Sequence, residues 1–195
     1  MTIKALAVIF CIFLASFIMW GIISPETEPN NPISFLSLSP GLIDTGEIES
    51  AIIRYTNDER RNHGISPLMG DDRLSLIARE HSQDMALNNY LSHDNQQGES
   101  PTDRARKHGY PVRKEHGGGW YTDGIGENIG KMPTGNVEGI GIVSNTADAV
   151  ARAQVQTWIE SPGHRQNILD PSYSTIGVGV ACDGHLYYYS TQDFR

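Results

Sequence analysis

Cysteine is nearly absent. Two occur in 195 residues, Cys11 and Cys182. Cys11 lies inside a long apolar run, which sets the two in different environments and argues against an internal disulfide. A disulfide framework of the kind that holds small secreted domains together is therefore excluded, and the fold must stand on its core. No Leu-x-Ala/Gly-Cys pattern precedes Cys11, so lipoprotein processing at that residue has no support. Basic residues are outnumbered, 15 Lys and Arg against 23 Asp and Glu, for a net charge of -8. That balance speaks against nucleic acid as a partner, because non-specific binding needs cations to neutralise phosphates, and against a basic patch for anionic lipids. Signatures of specific reactions are also missing: there is no His-Glu-x-x-His helix, no Gly-x-Ser-x-Gly elbow and no phosphate loop. There is no internal repeat.

What is present begins with "IKALAVIFCIFLASFIMWGII", residues 3–23, whose one charge is Lys4. About 20 apolar residues are enough for a helix to cross a bilayer. Lys4 precedes the run, and Glu26 and Glu28 follow it. The positive-inside rule then keeps the N-terminus in the cytoplasm and exports everything after Ile23. With no good Ala-x-Ala cleavage site and a run long for a signal peptide, the segment reads as an uncleaved membrane anchor. Were it cleaved, the domain would be secreted. Residues 24–43 are rich in Pro, Ser and Asn and read as a linker. Residues 44–195 remain as one globular domain, in keeping with 38% hydrophobic and 19% charged residues in the whole chain.

Local signals place the domain's elements. "DTGE" at 44–47 caps a helix running from about Glu47 to Asn62, which Gly64 ends. A second helix spans about Asp72–Asn89, with Leu74, Ile77, Ala78, His81, Met85 and Asn88 on one face. "SPTD" at 100–103 caps a short helix that ends at Gly109. Residues 110–142 are glycine-rich and read as irregular, a length of loop that is often functional in a compact domain. "NTAD" at 145–148 caps another helix, with Ala151, Val155 and Trp158 inward and Pro162 as its stop. "STIGVGVAC" and "HLYYYSTQDF" form a hairpin around Asp183-Gly184, a type I′ turn signal. Bare backbone at Gly177 and Gly179 implies close approach by another element. The pattern is α+β, helices with a small antiparallel sheet, not βαβ repeats.

Seven histidines are candidates for chemistry. His63 and His108 stand before glycines at helix ends, where an imidazole has a structural use. His81 on an apolar face reads as a hydrogen-bonded core residue. His185 reads as exposed, and His116 as a solvated loop residue whose role stays open. His93 in "YLSHD" and His164 in "SPGHR" each follow a helix, at junctions that can present side chains to a shared groove. Glu127 in "GIGENIG" sits between glycines that let the backbone fold tightly. Two imidazoles and a carboxylate can hold a divalent metal or move protons, but the long spacing leaves open whether the three meet. "GIGENIG" neither follows a clear strand nor opens a helix, so a nucleotide loop is rejected.

In their order, "NDERRNHGISPL", "AREHSQDMALNNYLSHDN", "GENIG" and "WIESPGHRQNILDPSYSTIGVGVA" with the trailing "YYYSTQDF" resemble the CAP superfamily. This group contains cysteine-rich secretory proteins, antigen five and plant pathogenesis-related proteins, and the likeness is to its disulfide-free prokaryotic branch over roughly residues 47–194. The resemblance implies an α-β-α sandwich around a central antiparallel sheet. It also implies a cleft of two histidines and two acidic residues that binds a divalent metal, often zinc, through the histidines. His93, Glu127 and His164 match three of these positions. The fourth falls on Ser161, three residues after Trp158. Glu160 is offset by about 100° of helix and reaches the cleft only if the helix unwinds before Pro162.

Three functions compete at this level. The first is an exported binding module whose cleft or Gly-rich loop engages a lipid, glycan or peptide at the cell surface. The second is a metal-assisted hydrolase, a peptidase or cell-envelope enzyme, with Glu127 activating water between the metal ligands His93 and His164. The third is a structural domain whose cleft is a stabilising polar network. Binding ranks first, because no nucleophile signature accompanies the anchor and linker.

Overall fold

The computed structural model describes residues 43–185 and 187–195. The expected anchor over residues 3–23 and all but the last residue of the expected linker lie outside these residues. Among the described residues, no helix is long and apolar enough to cross a membrane.

Helix α1 is Thr45–Asn62, two residues longer at its start than predicted. The Asp44 carboxylate caps it by accepting the Gly46 N–H at 2.8 Å. Ile48, Ala51 and Ile52 are buried, and the chain leaves the helix through Gly64 at φ +69°. The two-residue strand β1, Met69–Gly70, leads to α2, Asp72–Asn88. Asp71 caps α2, accepting N–H groups from Arg73 and Leu74, and Asn89 ends it in the left-handed region. Leu74, Ile77, Ala78, His81 and Met85 are buried as the spacing predicts. Asn88 is not: it is exposed and its amide bonds the Asp84 carboxylate, so the inward stripe stops a turn early. Helix α3, Pro101–Lys107, opens with the reciprocal Ser100–Asp103 capping box.

The segment expected to be irregular contains five strands: β2 Arg113–Gly117, β3 Trp120–Asp123, β4 Gly126–Pro133, β5 Gly135–Val137 and β6 Gly141–Val143. Four consecutive buried residues of β4 are Glu127, Asn128, Ile129 and Gly130, three of which carry no apolar side chain. Hydrophobic alternation, the signal for a strand, is therefore absent where the strand is most buried. Helix α4, Ala147–Glu160, is capped by Thr146 and buries Ala151, Val155 and Trp158. Pro162 does not finish the helical region. Ser161 makes an extended break (φ -87°, ψ 120°), and Pro162 becomes the first residue of α5, Pro162–Leu169, a position that suits its fixed φ and missing N–H. His164 thus lies in the first turn of a new helix.

Strands β7, Thr175–Cys182, and β8, Tyr187–Phe194, form the predicted hairpin, but not through a type I′ turn. Among the described residues Asn89 is the only non-glycine with positive φ, so Asp183 lacks the conformation that turn requires. A longer connection is closed instead by the Asp183 N–H donating to the Tyr187 carbonyl at 3.1 Å. The main sheet has the order β1-β7-β8-β4. Its three long strands are antiparallel as expected, whereas β1 joins β7 in parallel over two residues. The pairs β2/β3 and β5/β6 are separate two-stranded sheets.

Two helical layers cover the main sheet. Ile176, Val178, Val180, Tyr188 and Phe194 pack with Ile48 and Ile52 of α1 and Val150, Val155 and Trp158 of α4 in the larger core cluster. On the opposite face α2 lies directly on the strands. A Cβ at Gly177 would stand 2.3 Å from the Leu74 carbonyl carbon, and one at Gly179 would stand 2.0 Å from the Arg79 nitrogen. The two bare positions admit the helix, as their alternation implied. Ser82 then donates to the Gly179 carbonyl at 2.9 Å. The result is the α+β sandwich expected, with the N-terminal end of β4 and the C-terminal end of β8 side by side.

Candidate functional site

His93 lies in the connection from α2 to α3. The guanidinium of Arg104, on α3, holds that connection by donating to the carbonyls of His93 (2.7 Å) and Glu99 (3.0 Å). Glu127 is the second residue of β4, and its side chain is 1% exposed. Its two carboxylate oxygens divide their partners. Oε1 lies 2.7 Å from His93 Nδ1, and Oε2 accepts from Arg104, which is itself buried. The His93 ring is half exposed, with Nε2 at the edge away from the carboxylate.

His164 is fastened from behind. Asn128, next to Glu127 on β4, donates to the His164 carbonyl at 3.1 Å. Asn167, one turn further along α5, donates to the Glu127 carbonyl at 3.0 Å and to the Asn128 side chain at 2.9 Å. Gln192 of β8 accepts from Asn128 and donates to Thr56 of α1, tying the same group to the core. The short helix α5 is thereby joined to the strand that carries Glu127. His164 Nδ1 is buried and has no hydrogen-bond partner among the described residues.

The two histidines have opposite charge preferences. The Glu127 hydrogen bond raises the pKa of His93 above the usual imidazole value, against the smaller opposing effect of burial. Burial lowers the pKa of His164, and the nearby His93 charge lowers it further. Glu160 is exposed at the end of α4, accepts from Gln156 at 3.0 Å, and lines a groove of about 520 Å³ with Tyr55, Arg152 and Ile159 between α1 and α4.

The model of the CAP family, described as the cysteine-rich secretory protein family, matches residues 53–194. The chain belongs to the CAP family. The uncharacterized protein YkwD of Bacillus subtilis is 34% identical over 146 residues, covering 75% of this chain and 46% of that protein. The uncharacterized membrane protein YlbC of the same organism is 32% identical over 146 residues, covering 75% of this chain and 34% of that protein. The chain therefore spans less than half the length of these relatives. Among solved structures, an extracellular protein containing an SCP domain from Bacillus anthracis is similar at 27% identity and a TM-score of 0.58, covering 77% of this chain and 40% of that one. An outer surface protein from Borrelia burgdorferi has the same fold at 17% identity and a TM-score of 0.58, covering 78% of this chain and 95% of that one.

His93, Glu127 and His164 fit a divalent metal only in part. His93 Nε2 and the imidazole of His164, with its unpartnered Nδ1, are nitrogen ligands of the kind zinc accepts. Glu127 stands behind His93 in the carboxylate–imidazole arrangement that fixes a ligand's tautomer and raises its basicity. Yet no group of three or more His, Cys, Asp or Glu among the described residues is arranged to hold a metal ion. Two imidazoles would leave the remaining positions of a tetrahedral ion to water or to a ligand.

The sequence reading missed two buried members of the site. Arg104 follows the Ser100–Asp103 cap and lies inside α3 beside buried Ala105. Asp193 pairs with Glu127 in the β4/β8 ladder and is fully buried. The strand alternation of "YYYSTQDF" contained the signal for Asp193, since it puts residues 189, 191 and 193 on one face. Nothing in the sequence distinguished Arg104 from its exposed neighbours Arg106 and Lys107.

Proposed function

We propose that this CAP domain works outside the cytoplasm, held to a membrane by the apolar run 3–23, as a binding module. Its His93–Glu127–His164 cleft takes a divalent metal, zinc foremost, through the two histidines. The cleft and its surroundings engage a lipid, glycan or peptide at the cell surface. The observation that carries the reading is the hydrogen bond from His93 Nδ1 to the buried carboxylate of Glu127, which leaves Nε2 as the ligating atom. Burial supports it from the other side by keeping His164 neutral, the form that ligates. The extracytoplasmic location draws on residues 3–23 and on the similar proteins, of which one is named extracellular and another a membrane protein.

The metal-assisted hydrolase ranks second for a structural reason. Glu127 would have to accept a proton from water, but its oxygens are already engaged by Arg104 and His93. Calorimetric titration of the full chain in detergent with zinc, beside His93→Ala and His164→Ala, tests the binding reading. It expects heat of binding in the parent and its loss in both variants. Equal binding in all three would remove the site.

A further inference from the structure

We propose that Asp193 is a positioning residue for the cleft: it stands as a neutral carboxylic acid behind Glu127, donates its hydrogen to the Glu127 carboxylate, and so keeps that carboxylate turned to His93. The reason for holding Glu127 rests on the binding reading above, while the neutral state of Asp193 follows from its surroundings alone.

Register is the first argument. Asp193 on β8 is the direct partner of Glu127 on β4. Such neighbours place their Cβ atoms roughly 4.5–5.5 Å apart on one face, and two like charges there repel. Burial is the second. Asp193 is 0% exposed, and no donor group among the described residues reaches either carboxylate oxygen. An ionised carboxylate in that state would carry an unsolvated, unpaired charge, which proteins avoid by keeping the proton.

The charged and titratable groups around it agree. Across β8 on the other side is Gly177 of β7, which brings no side chain. On α2, the buried His81 is kept neutral by burial. On α3, Arg104 is the cation of the cluster, and it is committed to Glu127. One guanidinium therefore faces two carboxyls, and the one bonded to it takes the charge. Burial first, then the Glu127 charge, drives the Asp193 pKa well above the ordinary carboxylate value, with Arg104 opposing. A protonated carboxyl gains a donor, as an acid kept neutral by its site does when it serves as a hydrogen-bond donor. The acceptor facing it in register is Glu127. That carboxylate then receives Arg104 on one oxygen and His93 on the other, with Asp193 bracing it from the sheet.

Infrared spectroscopy of the full chain in detergent at pH 7 tests the neutral state. The difference between the parent and Asp193→Asn should show the C=O stretch of a protonated carboxyl in the parent. A pair of carboxylate bands in its place overturns the proposal. Should Asp193→Asn not fold, the parent's own pH series decides: a protonated-carboxyl band at pH 7 supports the proposal, and its absence overturns it. Zinc calorimetry tests positioning. Asp193→Asn, which still donates, should bind zinc like the parent, and Asp193→Ala should bind roughly 10-fold more weakly, as loss of an outer hydrogen-bond partner does. Equal zinc binding by the parent and Asp193→Ala overturns the positioning role. A parent that binds no zinc removes the metal reading, and the infrared result then stands as the decision on Asp193.

Discussion

His93 and Glu127, 34 residues apart, meet through a 2.7 Å contact between Nδ1 and Oε1, one side chain half exposed and the other buried. The pair fixes the orientation of a half-exposed imidazole. Exchanging the buried carboxylate for an amide should disturb that orientation. Glu127→Gln is expected to weaken zinc binding by roughly 10- to 100-fold, the range for loss of an outer carboxylate partner. Calorimetry at fixed pH measures it, and an unchanged affinity would count against the pairing.

The same contact predicts a pH dependence. His93 has a raised pKa in the fold, chiefly through Glu127. Its contribution to stability is therefore fully present below the unfolded imidazole pKa, about 6.5, and is lost as pH rises through the folded value. Denaturant unfolding of the parent and His93→Gln should show the larger difference at pH 5.5 and a smaller one at pH 8.5. Zinc binding should run the opposite way, strengthening as pH rises and the proton leaves His93.

Arg104 binds Glu127 in a buried pair and also holds the His93 and Glu99 carbonyls. Arg104→Met leaves the Glu127 charge without its cation and the α2–α3 connection without its clamp. Breaking one side of a buried ion pair costs on the order of 3–5 kcal/mol. Urea unfolding should report a loss of that size.

Glycines separate packing from conformation. Gly179→Ala would drive a methyl to 2.0 Å from the Arg79 backbone, displacing α2 from the sheet. Overpacking of this kind costs about 1–3 kcal/mol or more. Gly163→Ala, in α5 with nothing within 4 Å of the added carbon, should be neutral or stabilise by up to about 1 kcal/mol. Thermal melts of the two variants should shift in these different directions.

Glu160 offers a negative control. It is exposed and bonded to Gln156. Glu160→Gln should leave zinc affinity unchanged and alter stability by no more than about 0.5 kcal/mol. A marked fall in affinity would show that Glu160 reaches the cleft.

Much of the fold was legible because ordinary signals coincide with ordinary structure. The Ser100–Asp103 cap, the α2 stripe through Met85 and the Gly177/Gly179 alternation each act locally, and each is found. Strand β4 was hidden because its buried positions hold Glu127, Asn128 and Gly130, residues selected by the site and by close packing against Gln154. Helix α5 was hidden because Pro162 serves equally to end one helix and to begin the next. The site was legible as a set of residue types, and the family resemblance proposed which of them belong together. Arg104 and Asp193 had to wait for tertiary structure, since what marks them is their joint burial against Glu127.

The central claim is that His93 and His164 hold one metal ion between them. Anomalous diffraction at the zinc edge, from crystals of the protein grown with zinc, tests it most directly. The account predicts a single peak within bonding distance of His93 Nε2 and an imidazole nitrogen of His164, with Glu127 still on Nδ1 of His93. No peak between the two rings at saturating zinc, or one that leaves either ring unliganded, would contradict it.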